Sequence, residues 1–277
     1  MLNHPSDPSP RLNPLGADRG NLLRLMSFNI LTASARHSAH DWERRKELVV
    51  ETIRGFQPDL LGLQECRQDE QAAYLQMSLP EYAWLGAPRG GESESALEMA
   101  PLLYRREAFE LLDAGHFWLS RTPEVSGSLS WGASLPRTLT WAKLKPVQGG
   151  RTLLFANTHF DHESARARLE SARQVGRFLA KFAGECSLAL VGDFNAERNS
   201  TPYRHLTTPA GIKARLLKDA CPDCPGTFHA FEALDPPLTI DWILVSGDVE
   251  VMEVVVLKDS REAFASDHAA LGVEGFL

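Results

Sequence analysis

Several short apolar runs in this chain of 277 residues end directly in acidic, amide or imidazole side chains. Runs of roughly four to eight apolar residues are typical of buried β-strands, so each run predicts a strand that delivers polar groups to the loop after it. The run 187–191 leads into Asp193 and Asn195, and the run 153–156 leads into His159. The sequence therefore predicts that several strand ends meet at one acidic, histidine-bearing pocket.

The asparagines and aspartates at these strand ends also have a simpler interpretation. A single asparagine after a strand, such as Asn29, is typical of a turn or a helix cap, and Asp193 with Asn195 could form an Asx turn. The stretch 192–196 reads Gly-Asp-Phe-Asn-Ala, a pattern specific enough to favour the functional interpretation.

The remaining acidic and imidazole groups favour function more directly. Glu65 ends the run 59–64, and a carboxylate that emerges from a buried strand must be paired, hydrated or bound to a cation. A lone histidine is ordinarily structural, but His159 and His268 each belong to a motif that contains an aspartate, which favours a role in chemistry.

Hydrophobic periodicity predicts two helices, over residues 41–56 and 163–182, because apolar residues recur near 3.6-residue spacing in both. The predicted strands cover residues 22–30, 59–64, 100–105, 138–145, 152–158, 187–191, 240–245 and 249–257. Many strands with few helices predict two packed sheets that are covered on the outside by helices.

Composition predicts a single folded domain over residues 21–277 that follows a disordered, proline-containing tail over residues 1–20. The hydrophobic fraction of 43% permits a substantial core, and no interior linker or repeat divides the chain. The start lacks the apolar segment of a signal peptide, and no run approaches the ~18 apolar residues of a membrane span, so we expect a soluble, cytoplasmic protein without membrane contacts.

The net charge of −7 argues against a dedicated nucleic-acid binder. It does not exclude phosphate chemistry, because a bound divalent cation and a few arginines can reverse the field within one pocket. Cys221 and Cys224 have the spacing of half a zinc site, but no second pair matches them, which favours a loop with two incidental thiols.

The motifs, in their order from Asn29 to His268, resemble those of the endonuclease/exonuclease/phosphatase superfamily. The resemblance implies the fold of pancreatic deoxyribonuclease: an α+β, four-layer α-β-β-α sandwich of two mainly antiparallel sheets flanked by helices. The stretch 115–120, Gly-His-Phe-Trp-Leu-Ser, is similar to a largely bacterial Phe-Trp-Leu-Ser subgroup. The chain departs from that subgroup where its Gly-Glu pair reads Leu97-Glu98, and Glu98 is the candidate for the acidic role.

The resemblance also implies a phosphoesterase that depends on Mg²⁺ or Mn²⁺, since oxygen ligands suit these hard cations better than zinc. The metal ligands it implies are Glu65, Asn29 and Asp267. The catalytic residues it implies are Asp193 for the attacking water, Asn195 for the phosphate or the nucleophile, His159 and His268 for the phosphoryl oxygens, and Asp241 as the hydrogen-bond partner of His268. The substrate wall would comprise Arg137 as a phosphate clamp with Tyr104, Asp161, His162 and Glu98, and core packing is the alternative for Tyr104.

The substrate is not specified by these residues, because the superfamily cleaves several kinds of phosphate ester with nearly the same core. The acidic balance favours a nuclease-like phosphodiesterase that acts on a small phosphodiester or single-stranded nucleic acid, with the loops 86–97 and 121–136 as selective elements. A phosphomonoesterase for a sugar or inositol phosphate, and a non-catalytic binding module, are the alternatives. The number of metal ions and the identity of the general base, Asp193 or His268, also stay open.

Overall fold

Two six-stranded sheets form the centre of the protein. The structure, a computed structural model, describes residues 22–35, 39–208, 217–232, 234, 237–257 and 264–277. The predicted tail lies outside the described residues, and the assignment of residues 21–277 to one domain stays a prediction.

The first sheet contains one parallel pair and is otherwise antiparallel. Its strands, in spatial order, are β13 (Glu250–Leu257), β14 (Ala270–Phe276), β1 (Leu22–Asn29), β2 (Leu60–Gln64), β6 (Leu102–Arg105) and β4 (Tyr82–Leu85). The parallel pair is β1 with β2, in which Asn29 lies opposite Gln64. Both strands therefore end at the same edge of the sheet.

The second sheet has the same arrangement of one parallel pair among antiparallel neighbours. Its strands, in spatial order, are β11 (Lys218–Asp219), β12 (Asp241–Val245), β10 (Ser187–Asp193), β9 (Leu153–His159), β8 (Thr138–Pro146) and β7 (Phe109–Trp118). In the parallel pair of β9 with β10, His159 lies opposite Asp193, and Asp193 also lies opposite Asp241. A short ribbon of β3 (Cys66–Arg67) with β5 (Glu98–Met99) lies outside both sheets.

Three buried clusters define the layers. One cluster lies between the sheets and joins residues such as Leu25, Leu60, Phe155 and Ile243. The helices α1 (Trp42–Phe56) and α2 (Glu70–Ser78) pack on the first sheet, and α3 (Ala165–Leu179) and α4 (Thr201–Thr207) pack on the second. The layers therefore follow one another as helices, first sheet, second sheet and helices. This is the predicted four-layer α-β-β-α sandwich, and the fold prediction is confirmed.

Both predicted helices are confirmed. Each forms because it has an N-terminal cap and an apolar face on one side. Asp41 caps α1 by accepting from the backbone N–H of Arg44, and Ser164 caps α3 by accepting from Ala167. A short 3₁₀ turn, Ala180–Phe182, continues α3 to the predicted end. None of the helices in the described part of the chain is long and apolar enough to cross a membrane.

All eight predicted strands are present within two residues of their predicted bounds. The two-residue strands β3, β5 and β11 were not predicted, and neither were five longer helices and strands of the described chain. These are α2, α4, β4, β7 and β14. In α2 only three residues are buried, so its sequence carries little one-sided periodicity. In β14 both faces are covered and two glycines interrupt the apolar pattern, which removes the alternation expected of a half-buried strand.

A polar contact ties the two sheets together beneath the polar strand ends. The Asn157 side chain on β9 donates to the carbonyls of Leu63 (2.7 Å) and Pro101 (2.8 Å) and accepts from Gln64 Nε2 (2.7 Å). Gly62 on β2 permits this approach, because a Cβ atom there would lie 2.6 Å from Asn157 Oδ1. The two sheets are thus held in a fixed position relative to each other where the site begins.

Candidate active site

Side chains from both sheets meet at the edge where the parallel strand pairs end. The first sheet contributes Asn29 from the end of β1, Glu65 directly after β2, and Asp267 and His268 directly before β14. The second sheet contributes His159 from the end of β9, Asp193 from the end of β10, Asn195 in the loop after it, and Asp241 from the start of β12. The predicted convergence of strand ends is therefore seen in the structure.

Asn29 joins the two halves of this site. Its Nδ2 donates to Glu65 Oε1 and to Asp193 Oδ2, both at 3.0 Å, and its Oδ1 accepts from the backbone N–H of Leu31 at 3.0 Å. The side chain is buried, so these hydrogen bonds fix the amide orientation. Asn29 thereby holds one carboxylate from each sheet in a defined position.

Asp241 and His268 form a buried pair in which Asp241 Oδ2 lies 2.8 Å from His268 Nδ1. Burial alone would lower the pKa of His268, but Asp241, together with Asp193 and Asp267, outweighs it and raises that pKa to about 10. The Nδ1 hydrogen bond leaves Nε2 directed to the cavity, 3.7 Å from Asp193 Oδ2. His268 is therefore an imidazolium that can donate a proton or a hydrogen bond.

Asp193 lies between the two histidines, with Oδ2 at 3.5 Å from His159 Nε2, and its Oδ1 accepts from the backbone N–H of Asn195 at 2.9 Å. Burial, followed by the charge of Asp241, raises the pKa of Asp193 to about 7. Two carboxylates and two imidazoles in one buried space give neighbouring groups different proton affinities, as acid–base chemistry requires.

His159 has the opposite charge state. Burial, followed by the positive charge of Arg137, holds its pKa well below the ordinary value for histidine. A neutral ring accepts at Nε2 from Asn195 Nδ2, which lies 3.0 Å away and also donates to the Phe160 carbonyl at 3.1 Å. Asn195 adopts a left-handed backbone conformation with φ of 46°, and its amide lies within hydrogen-bond distance of His159 Nε2.

Two groups of side chains in the described residues could hold a cation. Glu65, also in a left-handed conformation (φ 60°), faces the cavity with Asp267, whose pKa is raised by burial and, in part, by the charge of Glu65. Asp193, Asp241 and His268 place one ligand atom each within 4.8 Å of one another. The hydrogen bond between Asp241 and His268 already occupies one atom of each, so the oxygen-rich group around Glu65 fits a hard cation better.

An arginine pair lines the side of the site nearest β5 and β8. Arg137 is buried, and its Nη2 lies 3.1 Å from His162 Nδ1, while its Nε and Nη1 are buried without a hydrogen-bond partner among the described residues. Arg89 pairs with Glu98 at 3.0 Å, and burial raises the pKa of Glu98 to about 7 despite this partner. The predicted positions of Arg137, His162 and Glu98 at the cavity wall are therefore found.

Arg89 is the residue that the sequence analysis missed. It is the single basic residue in the loop 86–97, which the sequence presents as rich in glycine, serine and glutamate. In the structure it lines the cavity and is buried against Glu98 and the carbonyl of Ser95. A lone arginine followed by two glycines in a loop was the available signal.

Two predicted wall residues lie elsewhere. Tyr104 packs in the core between the sheets and does not line the cavity, so its assignment to the substrate wall is corrected in favour of the packing alternative. Asp161 is buried. Its carboxylate accepts hydrogen bonds from the backbone N–H and the hydroxyl of Ser134 (2.9 and 2.8 Å) and from the backbone N–H groups of Glu163 and Ser164. It anchors the loop before β8 to the start of α3 and does not face the cavity.

The two cysteines of the predicted loop are both reduced. The N–H of Cys224 donates to the carbonyl of Cys221 at 3.2 Å, which closes a turn. Within the described part of the chain they join no group of metal-ligating side chains.

All the other predicted site residues surround or support one cavity of about 1100 Å³. Its sheet end is lined by Glu65, His159, Asp193, Asn195, Asp267 and His268, and it extends to the facing surfaces of α3 and α4. Trp131, the tryptophan of the loop 121–136, does not line this cavity.

The comparisons with known proteins identify the class. The model of the Endonuclease/Exonuclease/phosphatase family matches residues 26–268, and the chain belongs to this family. Nocturnin of Drosophila melanogaster is 30% identical over 200 residues, which cover 64% of this chain but only 29% of that protein. The chain thus spans less than a third of the length of this curated relative.

Two solved bacterial structures resemble the chain over almost its whole length. An endonuclease/exonuclease/phosphatase from Bacteroides vulgatus has a TM-score of 0.85 and 33% identity, and covers 93% of this chain and 100% of its own. A mannosyl-6-phosphatase from Bacteroides thetaiotaomicron has a TM-score of 0.79 and 30% identity, and covers 92% and 100%. Both similarities agree with the fold and the family derived from the strand ends.

Proposed function

We propose that the chain hydrolyses a phosphodiester by attack of a water molecule, with the help of a bound divalent cation. The observation that carries this proposal is the continuous hydrogen-bonded path from Glu65 through Asn29 to Asp193, beside the buried Asp241–His268 pair. A binding module that retained only the fold would not need an acid with a pKa near 7 next to an imidazolium.

The cation would be Mg²⁺ or Mn²⁺. Asn29 donates from Nδ2 to Glu65 Oε1 and positions that carboxylate, while Glu65 and Asp267 would hold the cation. Their oxygens are the ligands that hard cations prefer, and the raised pKa of Asp267 reflects buried negative charge that a cation would neutralise. When bound, the cation neutralises charge on the phosphoryl group and on the leaving oxygen.

The protein's own groups supply orientation and proton transfer. Asp193 orients the attacking water and accepts its proton, since a carboxylate with a pKa near 7 is matched to neutral pH. His268, protonated and held by Asp241, donates to a nonbridging oxygen. Asn195 donates from Nδ2 to His159 and to the Phe160 carbonyl, so its Oδ1 is the group that would accept from the attacking water.

The diester is favoured by the size of the cavity, which exceeds what a phosphate group alone requires. A diester carries a substituent on each side of the phosphorus, and the cavity extends away from the sheet end toward α3 and α4. The net charge of −7 favours a small or single-stranded substrate over duplex DNA.

A phosphomonoester of a sugar is the second candidate, and Arg137 is the observation that favours it. The Nε and Nη1 groups of Arg137 are buried without partners among the described residues, and a terminal phosphate offers one more oxygen and more charge to such donors than a diester does. The similarity to the mannosyl-6-phosphatase supports the same candidate.

The deciding experiment compares hydrolysis of bis-p-nitrophenyl phosphate and p-nitrophenyl phosphate in Mg²⁺, Mn²⁺ or EDTA, with the Asp193→Ala and His268→Ala variants as controls. Metal-dependent cleavage of the diester that both variants lose supports the proposal. Preference for the monoester supports the second candidate. Absence of turnover in a folded protein, with natural nucleotides and sugar phosphates tested as well, contradicts both.

A further inference from the structure

The end of the cavity farthest from the sheets is basic, although the chain as a whole is acidic. The N-terminal part of α3 contributes Arg166 and Arg168, and α4 contributes Arg204. Glu197 is the acidic residue at this end, whereas Glu65, Glu98, Asp193 and Asp267 lie at the sheet end. We name the surface formed by Arg166, Arg168 and Arg204 the basic wall.

The arginines of the basic wall have free donors. In the described part of the chain, Arg166 and Arg204 are exposed and form no ion pair, and Arg168 uses only Nη1, for the Asp161 carbonyl at 2.9 Å. Arg173 on the same helix shows the contrasting case, since it pairs with Glu170 at 2.7 Å and does not line the cavity. Three guanidinium groups around one end of a cavity attract an anion unless acids compensate them.

Ser200 supplies a second, independent observation at this end. Ser200 lines the cavity, and its side-chain oxygen is buried without a hydrogen-bond partner among the described residues. It precedes α4 at the N-cap position but makes no side-chain capping hydrogen bond. A buried hydroxyl that its own helix does not use is costly unless a ligand or water satisfies it.

We infer that the basic wall binds a second phosphate group of the same substrate molecule whose ester is cleaved at the sheet end. This inference rests on the proposed function and narrows its substrate class to compounds with at least two phosphate groups. A guanidinium binds two phosphate oxygens at once, and the Ser200 hydroxyl can donate to a third. The cavity of about 1100 Å³ can hold the scaffold between two such groups.

The test measures binding by calorimetry in an Asp193→Asn background with Mg²⁺, which suppresses turnover. The ligands are an adenosine bisphosphate with a phosphate on each side of the ribose, adenosine monophosphate, fructose bisphosphate and fructose monophosphate. The nucleotide pair and the sugar pair distinguish the two sources of a second phosphate. We expect at least one bisphosphate to bind about 10- to 100-fold more tightly than its monophosphate.

The double variant Arg166→Ala/Arg204→Ala should bring this ratio close to one. Arg177→Ala, which removes an exposed charge from α3 outside the cavity, is the matched control and should keep the ratio. Equal affinities for both members of both pairs in the parent protein, or an equal loss of the ratio in the Arg177 variant, would overturn the inference. Turnover of bis-p-nitrophenyl phosphate, which has a single phosphate, reports separately on the proposed function.

Discussion

The two ends of the cavity are built on different principles. At the sheet end, Asn29, Asp193 and His268 are buried and hydrogen-bonded to other side chains of the site before any substrate is present. At the basic wall, Arg166 and Arg204 are exposed on helices and have no ion-pair partner among the described residues. The sheets therefore hold the catalytic groups in place, while substitutions on the helices can change substrate recognition without disturbing those groups.

This division has a physical cause. Asn157 joins the two sheets by hydrogen bonds. The side chains at the ends of β1, β2, β9 and β10 are therefore held in fixed positions. Preorganised dipoles and charges in a buried site stabilise a transition state without reorganisation. Exposed arginines lose side-chain entropy when they bind and are screened by salt, so they suit affinity and selection better than rate acceleration.

The largest effect should come from the sheet end. His268→Ala removes the donor that Asp241 holds in place, and we expect kcat for bis-p-nitrophenyl phosphate to fall by about 10³-fold or more. His116→Ala is the matched control, since that histidine is exposed on β7 and does not line the cavity. If a folded His268→Ala protein retained kcat within a few-fold, the sheet end would not be the part of the cavity that carries the chemistry.

The next effect concerns the cation. Glu65→Gln keeps the size of the side chain but removes its charge, so we expect the Mg²⁺ concentration for half-maximal activity to rise by about 10- to 100-fold. A titration of activity with Mg²⁺ after EDTA treatment measures this shift. Glu110→Gln on the exposed edge strand β7 should leave it unchanged. An unchanged Mg²⁺ requirement in the Glu65 variant would instead favour the group formed by Asp193, Asp241 and His268.

A smaller effect follows from the charge of Asp241. Its carboxylate, with those of Asp193 and Asp267, raises the pKa of His268 against the effect of burial to about 10, so Asp241→Asn should move the imidazole titration to lower pH. Because the folded-state pKa lies above the unfolded value, the pair stabilises the fold fully below the unfolded pKa of about 6.5, and this contribution is lost as pH rises through about 10. The variant should therefore show a lower free energy of unfolding near neutral pH than the parent.

Two measurements on the metal-free proteins check this prediction. Histidine NMR titration reports the pKa of His268, and denaturant unfolding between pH 6 and pH 10 reports the stability difference, which should narrow as the parent loses its imidazolium. Glu163→Gln provides a comparison, since Glu163 lies at the exposed His162 rather than at the buried pair. Identical His268 titration in the parent and the Asp241 variant would show that the buried pair does not set the charge at the sheet end.

The sequence could predict the sheet end because its signals are local. Each of Asn29, Glu65, Asp193 and His268 follows or precedes an apolar run or lies in a short motif, and parallel pairing then brings strand ends to one edge. Helices α1 and α3 could be predicted for the same reason, because hydrophobic periodicity and an N-terminal cap are both local properties of the sequence.

The basic wall and Arg89 could not be predicted, because their signals are not local. Arg166, Arg204 and Arg89 lie in segments whose sequences resemble ordinary solvated surface, and only the packing of α3 against α4 and the path of the loop 86–97 bring them to the cavity. Tyr104 shows the same limit in the other direction. An aromatic residue on a strand is compatible with a wall or a core, and the tertiary structure decides between them.

The smallest effect should be the response of the two ends to salt. Screening acts strongly on exposed charges, since the Debye length falls from about 10 Å at 0.1 M to about 3 Å at 1 M ionic strength, and acts weakly on buried pairs. Raising the salt concentration should therefore lower the preference for a bisphosphate over its monophosphate by a few-fold, while kcat for bis-p-nitrophenyl phosphate at saturation changes little. In the Arg166→Ala/Arg204→Ala variant the preference should be small and independent of salt. A preference in the parent that resists salt would place the second phosphate against buried groups such as Arg89 and Arg137, and recognition would then belong to the sheet end as well.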